Sequence, residues 1–187
     1  MSPEHCSQQA TFGDFDAIAV LGYSALESGA VQELPGNWDE LSVEERRAIV
    51  NKGLAERFGG NFPAYHGLPR EGAWRNMYPD GTTDDLIAFD DEVLHTTVPR
   101  TAGVDVMTPR FTLPYASTIT VPVFLAFGEH DTCTQPYLQP SAYASCPDLT
   151  LTTYSGMKHL HNFAESRTAL WERSVAWLDY INSNCYG

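Results

Sequence analysis

Apolar residues recur along the chain in two periods. Phe15–Tyr23 (FDAIAVLGY) is short and nearly continuously apolar, as a strand covered on both faces requires. Val121–Phe127 (VPVFLAF) repeats that pattern, with Pro122 at its start, where a missing N–H is tolerated. Leu149–Tyr154 (LTLTTY) alternates and is rich in β-formers, so it predicts a third strand. Elsewhere the spacing is helical. Ser42-Val43-Glu44-Glu45 reads as a capping box, Val43, Val50, Leu54 and Phe58 share one face after it, and Gly59-Gly60 ends the segment. Thr83–Leu94 opens on Asp84 and Asp85, which suit the positive end of a helix, and carries Leu86, Ile87, Phe89, Val93 and Leu94. Gln135–Ala144 predicts a short helix. Arg167–Ile181 predicts a closing amphipathic helix that buries Leu170, Val175, Leu178 and Ile181, flanked by Trp171 and Trp177. Strands alternating with helices give an α/β class with a parallel sheet.

Composition narrows this picture. At 187 residues the chain can bury the core of one domain. A net charge of −13 argues against nucleic-acid phosphates or an anionic membrane surface as partners. No stretch reaches the roughly 18 apolar residues of a membrane span. The N-terminus has neither the basic start nor the apolar centre of a secretory signal, so a cytoplasmic location is expected. Cys6, Cys133, Cys146 and Cys185 are scattered without a Cys-x-x-Cys pair and are expected as free thiols. The stretch 29–111 differs from its flanks in being rich in Gly, Pro, Asn, Asp and aromatics.

The candidate chemistry lies at two strand ends. The second strand runs into Gly128-Glu129-His130-Asp131, and the third into Gly156-Met157-Lys158-His159. Adjacent parallel strands would bring both loops to the carboxyl edge of the sheet, where open α/β folds place their sites. A buried acid fixes the tautomer of a histidine base and stabilises its imidazolium form; Asp131 and His159 suit those roles. Glu129 is an alternative acid and His161 an alternative base. His159-x-His161 with either acid is also a weak metal-ligand pattern. As nucleophile the chain offers Ser24, in Gly22-Tyr23-Ser24-Ala25-Leu26, or Cys133, on the acid's own loop.

ITVPVFLAFGEHDTCTQP, then LTLTTYSGMKHLHNF, then an amphipathic helix, resembles the C-terminal part of α/β-hydrolase fold proteins. The resemblance implies Asp131 (Gly-x-x-Asp) as catalytic acid and His159 (Gly-x-x-His) as base, with no cofactor and no metal. FDAIAVLGYSA resembles the sixth strand of that family, just before the usual cap insertion. The implied fold is a partial α/β-hydrolase fold: a mainly parallel sheet of about three strands from residues 1–28 and 112–187, with 29–111 as a mostly helical cap. The implied reaction is hydrolysis of an ester or amide through an acyl-enzyme. The family's Gly-x-Ser-x-Gly nucleophile turn is missing, and Leu26 stands where the Ser24 version needs a small residue. The chain is therefore expected to be truncated, lacking the first five strands, and weak or inactive alone. The alternatives are an active hydrolase using Ser24, or a non-catalytic binding or interaction module. A small, partly apolar substrate is expected, with Tyr65, Trp74, Tyr78, Phe89 and Phe111 either lining its pocket or forming the insert's own small core. A bare edge on the first strand should promote self-association or binding of a complementary N-terminal half.

Overall fold

The three expected strands lie side by side in a computed structural model that describes residues 3–28, 34–60, 62–67, 70 and 72–185. They are β1 (Ile18–Leu21), β4 (Val123–His130) and β5 (Leu149–Lys158), all parallel, in the order β1-β4-β5. β1 is shorter than the apolar run containing it, and β4 and β5 run three and four residues further than their sequence patterns suggest. Those extensions carry both strands into the loops of Asp131 and His159.

Alternation along β4 builds two cores. Val123, Leu125 and Phe127 face one side with Ile18, Val20, Ala116 and Ile119. Phe124 and Ala126 face the other with Met157, Leu170, Trp177 and Ile181. Side chains that point alternately to opposite faces make a central parallel strand apolar throughout. The first core is closed by α1 (Pro3–Phe12) and α5 (Leu113–Ala116). The sequence pattern had not suggested α1, whose apolar residues are too few to show a stripe. The second core is closed by α6 (Arg167–Cys185).

The covered stripe of α6 is not the expected one. Leu170, Trp177 and Ile181 are buried, whereas Val175 and Leu178 are 58% and 51% exposed. Leu170, Ser174, Trp177 and Ile181 fall on one face; Trp171, Val175 and Leu178 form a second, adjacent apolar stripe that nothing among the described residues covers. β1 likewise pairs on one side only, with β4, among the described residues.

Between β1 and β4 the chain forms α2 (Val43–Arg57), a small antiparallel pair β2 (Tyr65–His66) and β3 (Val98–Pro99), α3 (Asp84–Phe89) and α4 (Arg100–Met107). The Ser42–Glu45 capping box forms as expected, with Glu45 N–H donating to Ser42 Oγ at 3.2 Å and Ser42 N–H to Glu45 Oε2 at 2.8 Å. The expected helix over Thr83–Leu94 is instead α3 followed by a π-helical turn, Asp90–Leu94, in which Asp90 is buried and Val93 and Leu94 are exposed. This segment keeps its own core of Trp38, Val50, Leu54, Phe62 and Val104. Its expected start at Gly29 lies outside the described residues, as does the side chain of Cys185. Among the described residues Cys6, Cys133 and Cys146 are not joined in disulfides. Among the described residues no helix is long and apolar enough to cross a membrane.

Candidate functional site

β4 and β5 deliver Asp131 and His159 to the same carboxyl edge. The two strands stay in register from Val123↔Leu149 to Gly128↔Tyr154, then shift, so that His130 pairs with Lys158. That bulge leaves room for the chain to turn at each strand end. Gly156, at φ +68, makes the corresponding turn before the histidine, in a region that disfavours side chains. The result is a hydrogen bond of 2.8 Å between His159 Nδ1 and Asp131 Oδ1.

Asp131 does more than hold one ring. Its second oxygen, Oδ2, lies 2.8 Å from His161 Nε2. Thr132 N–H donates to Oδ1 at 2.7 Å, and Gly128 N–H to Oδ2 at 3.3 Å. The carboxylate side chain is 0% exposed. Burial alone would raise its pKa; the hydrogen bonds from His159 and His161 outweigh burial and hold it well below the usual carboxylate range. An ionised carboxylate only accepts, so both ring nitrogens facing it carry their protons. His159 is thereby protonated at Nδ1, and His161 at Nε2. Neutral His159 then has an unprotonated Nε2, on a side chain 34% exposed, while His161 is 9% exposed. The two histidines that the sequence left as alternatives thus share one carboxylate and differ in exposure.

Glu129 and His130 play no part in this cluster. Glu129 accepts from Ser155 Oγ at 2.7 Å and from Gly156 N–H at 2.9 Å, and His130 is exposed. Among the described residues no group of three or more His, Cys, Asp or Glu is arranged to hold a metal ion.

The two candidate nucleophiles are occupied elsewhere. Ser24 Oγ accepts the N–H groups of Leu26 at 3.2 Å and Glu27 at 2.9 Å, which makes it the hinge of a local turn. Cys133 Sγ donates to Glu27 Oε1 at 3.3 Å, and burial, reinforced by that carboxylate, pushes its thiol up to about 12. A thiol so protonated is a poor nucleophile at neutral pH. Among the described residues no serine or cysteine hydrogen-bonds to either imidazole.

A cleft of about 330 Å³ opens at this edge, lined by Leu21, Leu160, Phe163, Leu170 and Trp171, with His159, His161, Asn162 and Asp90 supplying the polar groups. Of the five aromatics read as either pocket wall or core, none lines this cleft: Tyr65 and Phe89 are exposed, and Tyr78 is buried behind Phe163. An aromatic count cannot tell a pocket wall from a small core.

Gly22 is a site residue that sequence reasoning passed over. It ends β1 at φ +64, and a Cβ there would lie 3.0 Å from Asp131 Oδ2 and 3.1 Å from His161 Cε1. Gly22→Ala should therefore cost about 1–3 kcal/mol, from left-handed backbone and crowding together. Urea unfolding measures this; an unchanged midpoint would mean the Asp131–His161 contact is slack. A glycine closing an apolar strand was the available signal.

No family model matches the chain, and no curated protein matches it. Solved structures do. The monoacylglycerol lipase of Paleococcus ferrophilus aligns at a TM-score of 0.59 and 16% identity, over 94% of this chain and 63% of that one. A structure from work on carboxylesterases of the thaumarchaeon Nitrososphaera gargenis aligns at 0.54 and 16%, over 97% and 62%. The enol-lactonase from Burkholderia xenovorans LB400 aligns at 0.52 and 14%, over 91% and 59%. The chain thus shares an α/β-hydrolase-like fold with these structures, and it spans about three-fifths of their length.

Proposed function

We propose that Asp131 and His159 are the acid and base of a site for hydrolysing ester- or amide-type bonds, on a chain that does not itself supply the nucleophile. The observation that carries this reading is the hydrogen bond that His159 Nδ1–H donates to buried Asp131, which leaves His159 Nε2 as the proton acceptor. In that role Nε2 takes the proton of an attacking hydroxyl, Asp131 stabilises the imidazolium, and the same proton passes to the leaving group. No Gly-x-Ser-x-Gly elbow occurs in the sequence, and among the described residues no serine or cysteine hydrogen-bonds to His159. Loss of one oxyanion donor alone costs a factor of about 10² or more, so the chain by itself is weakly active or inactive. Residues 1–28 and 112–187 act as the hydrolase core, and 29–111 as its cap. The substrate is small and partly apolar, matching the mixed lining of the cleft beside His159.

A fluorophosphonate probe tests the nucleophile. No covalent labelling of the isolated chain is expected. Labelling at Ser24 would overturn the reading in favour of a self-sufficient serine hydrolase.

The missing chemistry would come from a polypeptide that completes the sheet along β1. Support comes from the side of β1 left unpaired among the described residues and from the exposed stripe of Trp171, Val175 and Leu178, which reaches Leu21 and Ala17 at the two ends of that strand. The isolated chain is expected to self-associate or to bind such a complement. Light scattering that gives a monomer with cooperative thermal unfolding would count decisively against it.

A further inference from the structure

We propose that the Met77–Asp80 segment of the insert between β1 and β4 positions His159, with Tyr78 as the key positioning residue; this rests on the reading of His159 as base. The loop carrying His159 is tied to that segment on both sides of the histidine. Immediately before it, Lys158 Nζ pairs with Asp80 Oδ1 at 2.6 Å. Immediately after it, Leu160 N–H donates to the Met77 carbonyl at 3.0 Å. Four residues on, the Phe163 ring meets Tyr78 edge to face, with centroids 5.1 Å apart. Tyr78 is itself anchored: its buried hydroxyl donates to Asp90 Oδ2, and Arg70 Nε donates to the same oxygen at 2.9 Å. Asp90 lines the cleft beside His159, so this network closes one wall of the same site.

The sheet alone does not fix His159. β5 ends at Lys158; beyond it the bonds of His159 and His161 to Asp131 set the directions of the two rings, and His161 N–H donates to the His159 carbonyl at 2.9 Å, a tie within the loop itself. Three ties to one four-residue segment supply the rest. A displacement near 1 Å at a reacting group costs on the order of 10²-fold in rate, so an insert that shifts away would disarm the base while leaving the core intact. The insert then both lines the cleft, through Asp90, and sets the geometry of its base.

The test is nuclear magnetic resonance on the ¹⁵N-labelled full chain. It reads the low-field Nδ1–H signal of His159, identified by its absence from His159→Gln, and uses the buried indole of Trp177 as reporter of the core. Tyr78→Ala should abolish the His159 signal and leave the Trp177 signal in place; Tyr78→Phe, which keeps the ring on Phe163, should restore the signal. A His159 signal unchanged in Tyr78→Ala overturns the proposal. If Tyr78→Ala loses the Trp177 signal as well, Tyr78→Phe combined with Asp80→Asn decides: exchange of the Nδ1 proton at least about threefold faster supports positioning, and an unchanged rate overturns it. Absence of the signal from the unsubstituted chain would instead sink the Asp131–His159 pair itself. The two failures are therefore distinguishable.

Discussion

Gly128→Ala is expected to destabilise the chain by about 3 kcal/mol and to separate Asp131 from His159. A Cβ at Gly128 would lie 2.3 Å from the Met157 carbonyl oxygen, 2.6 Å from its carbon and 3.1 Å from Lys158 N. All three atoms are backbone of β5, so no side chain can move aside. The only relief is to push β4 away from β5, at the point where the register shifts between Gly128 and His130. Asp131 follows three residues later, and Gly128 N–H also donates to its carboxylate. Stability and site geometry should therefore fail together. Urea unfolding measures the first, and the His159 Nδ1–H resonance the second. An alanine variant with an unchanged midpoint would show that the two strands are not as close as described.

Asp131→Asn should cost about 2–3 kcal/mol at neutral pH, although it keeps the shape of the side chain. The carboxylate accepts from both imidazoles and from two backbone N–H groups. An amide offers one accepting oxygen and one NH₂, so one of the two rings loses its partner or changes tautomer. The pH dependence has a definite sign. The carboxyl is held below its ordinary value of 3.8 when folded. As pH falls, the unfolded chain takes up its proton first, so it binds more protons than the folded chain and stability declines. The contribution is whole above about pH 5 and is lost as pH falls through the ordinary carboxylate range toward the lower folded value. The difference in Tm between the native chain and Asp131→Asn should thus be largest near neutral pH and shrink below about pH 4. A gap that stays constant across that range would mean that Asp131 is not the group responsible. In any assembly of this chain that turns over substrate, the same substitution should lower kcat on the order of 10⁴-fold, through the wrong tautomer at His159.

The sheet was readable from the chain because its information is local. Apolar runs at Phe15–Tyr23 and Val121–Phe127 and the alternating run at Leu149–Tyr154 each announce a strand, and a parallel arrangement places Asp131 and His159 at one edge. The capping box at Ser42 was equally local, since both partners lie within three residues. The stripe of α6 was not. Two apolar stripes lie side by side on that helix, and period alone cannot say which one the sheet covers. The π turn at Asp90–Leu94 was hidden because its residues continue a helical pattern while the backbone is set by Tyr78 and Arg70 on Asp90.

What the sequence determined by itself was a parallel αβ sheet with an acid and a histidine at neighbouring strand ends. Only the tertiary structure decided that one carboxylate serves two imidazoles, that Gly22 and Gly128 make room for it, and that the insert brackets His159. The reason is physical. Periods of 2 and 3.6 residues encode which face of an element is apolar, whereas the distance between loops far apart in the chain is fixed by packing. A glycine's missing methyl matters only where another backbone or side chain arrives to fill its place.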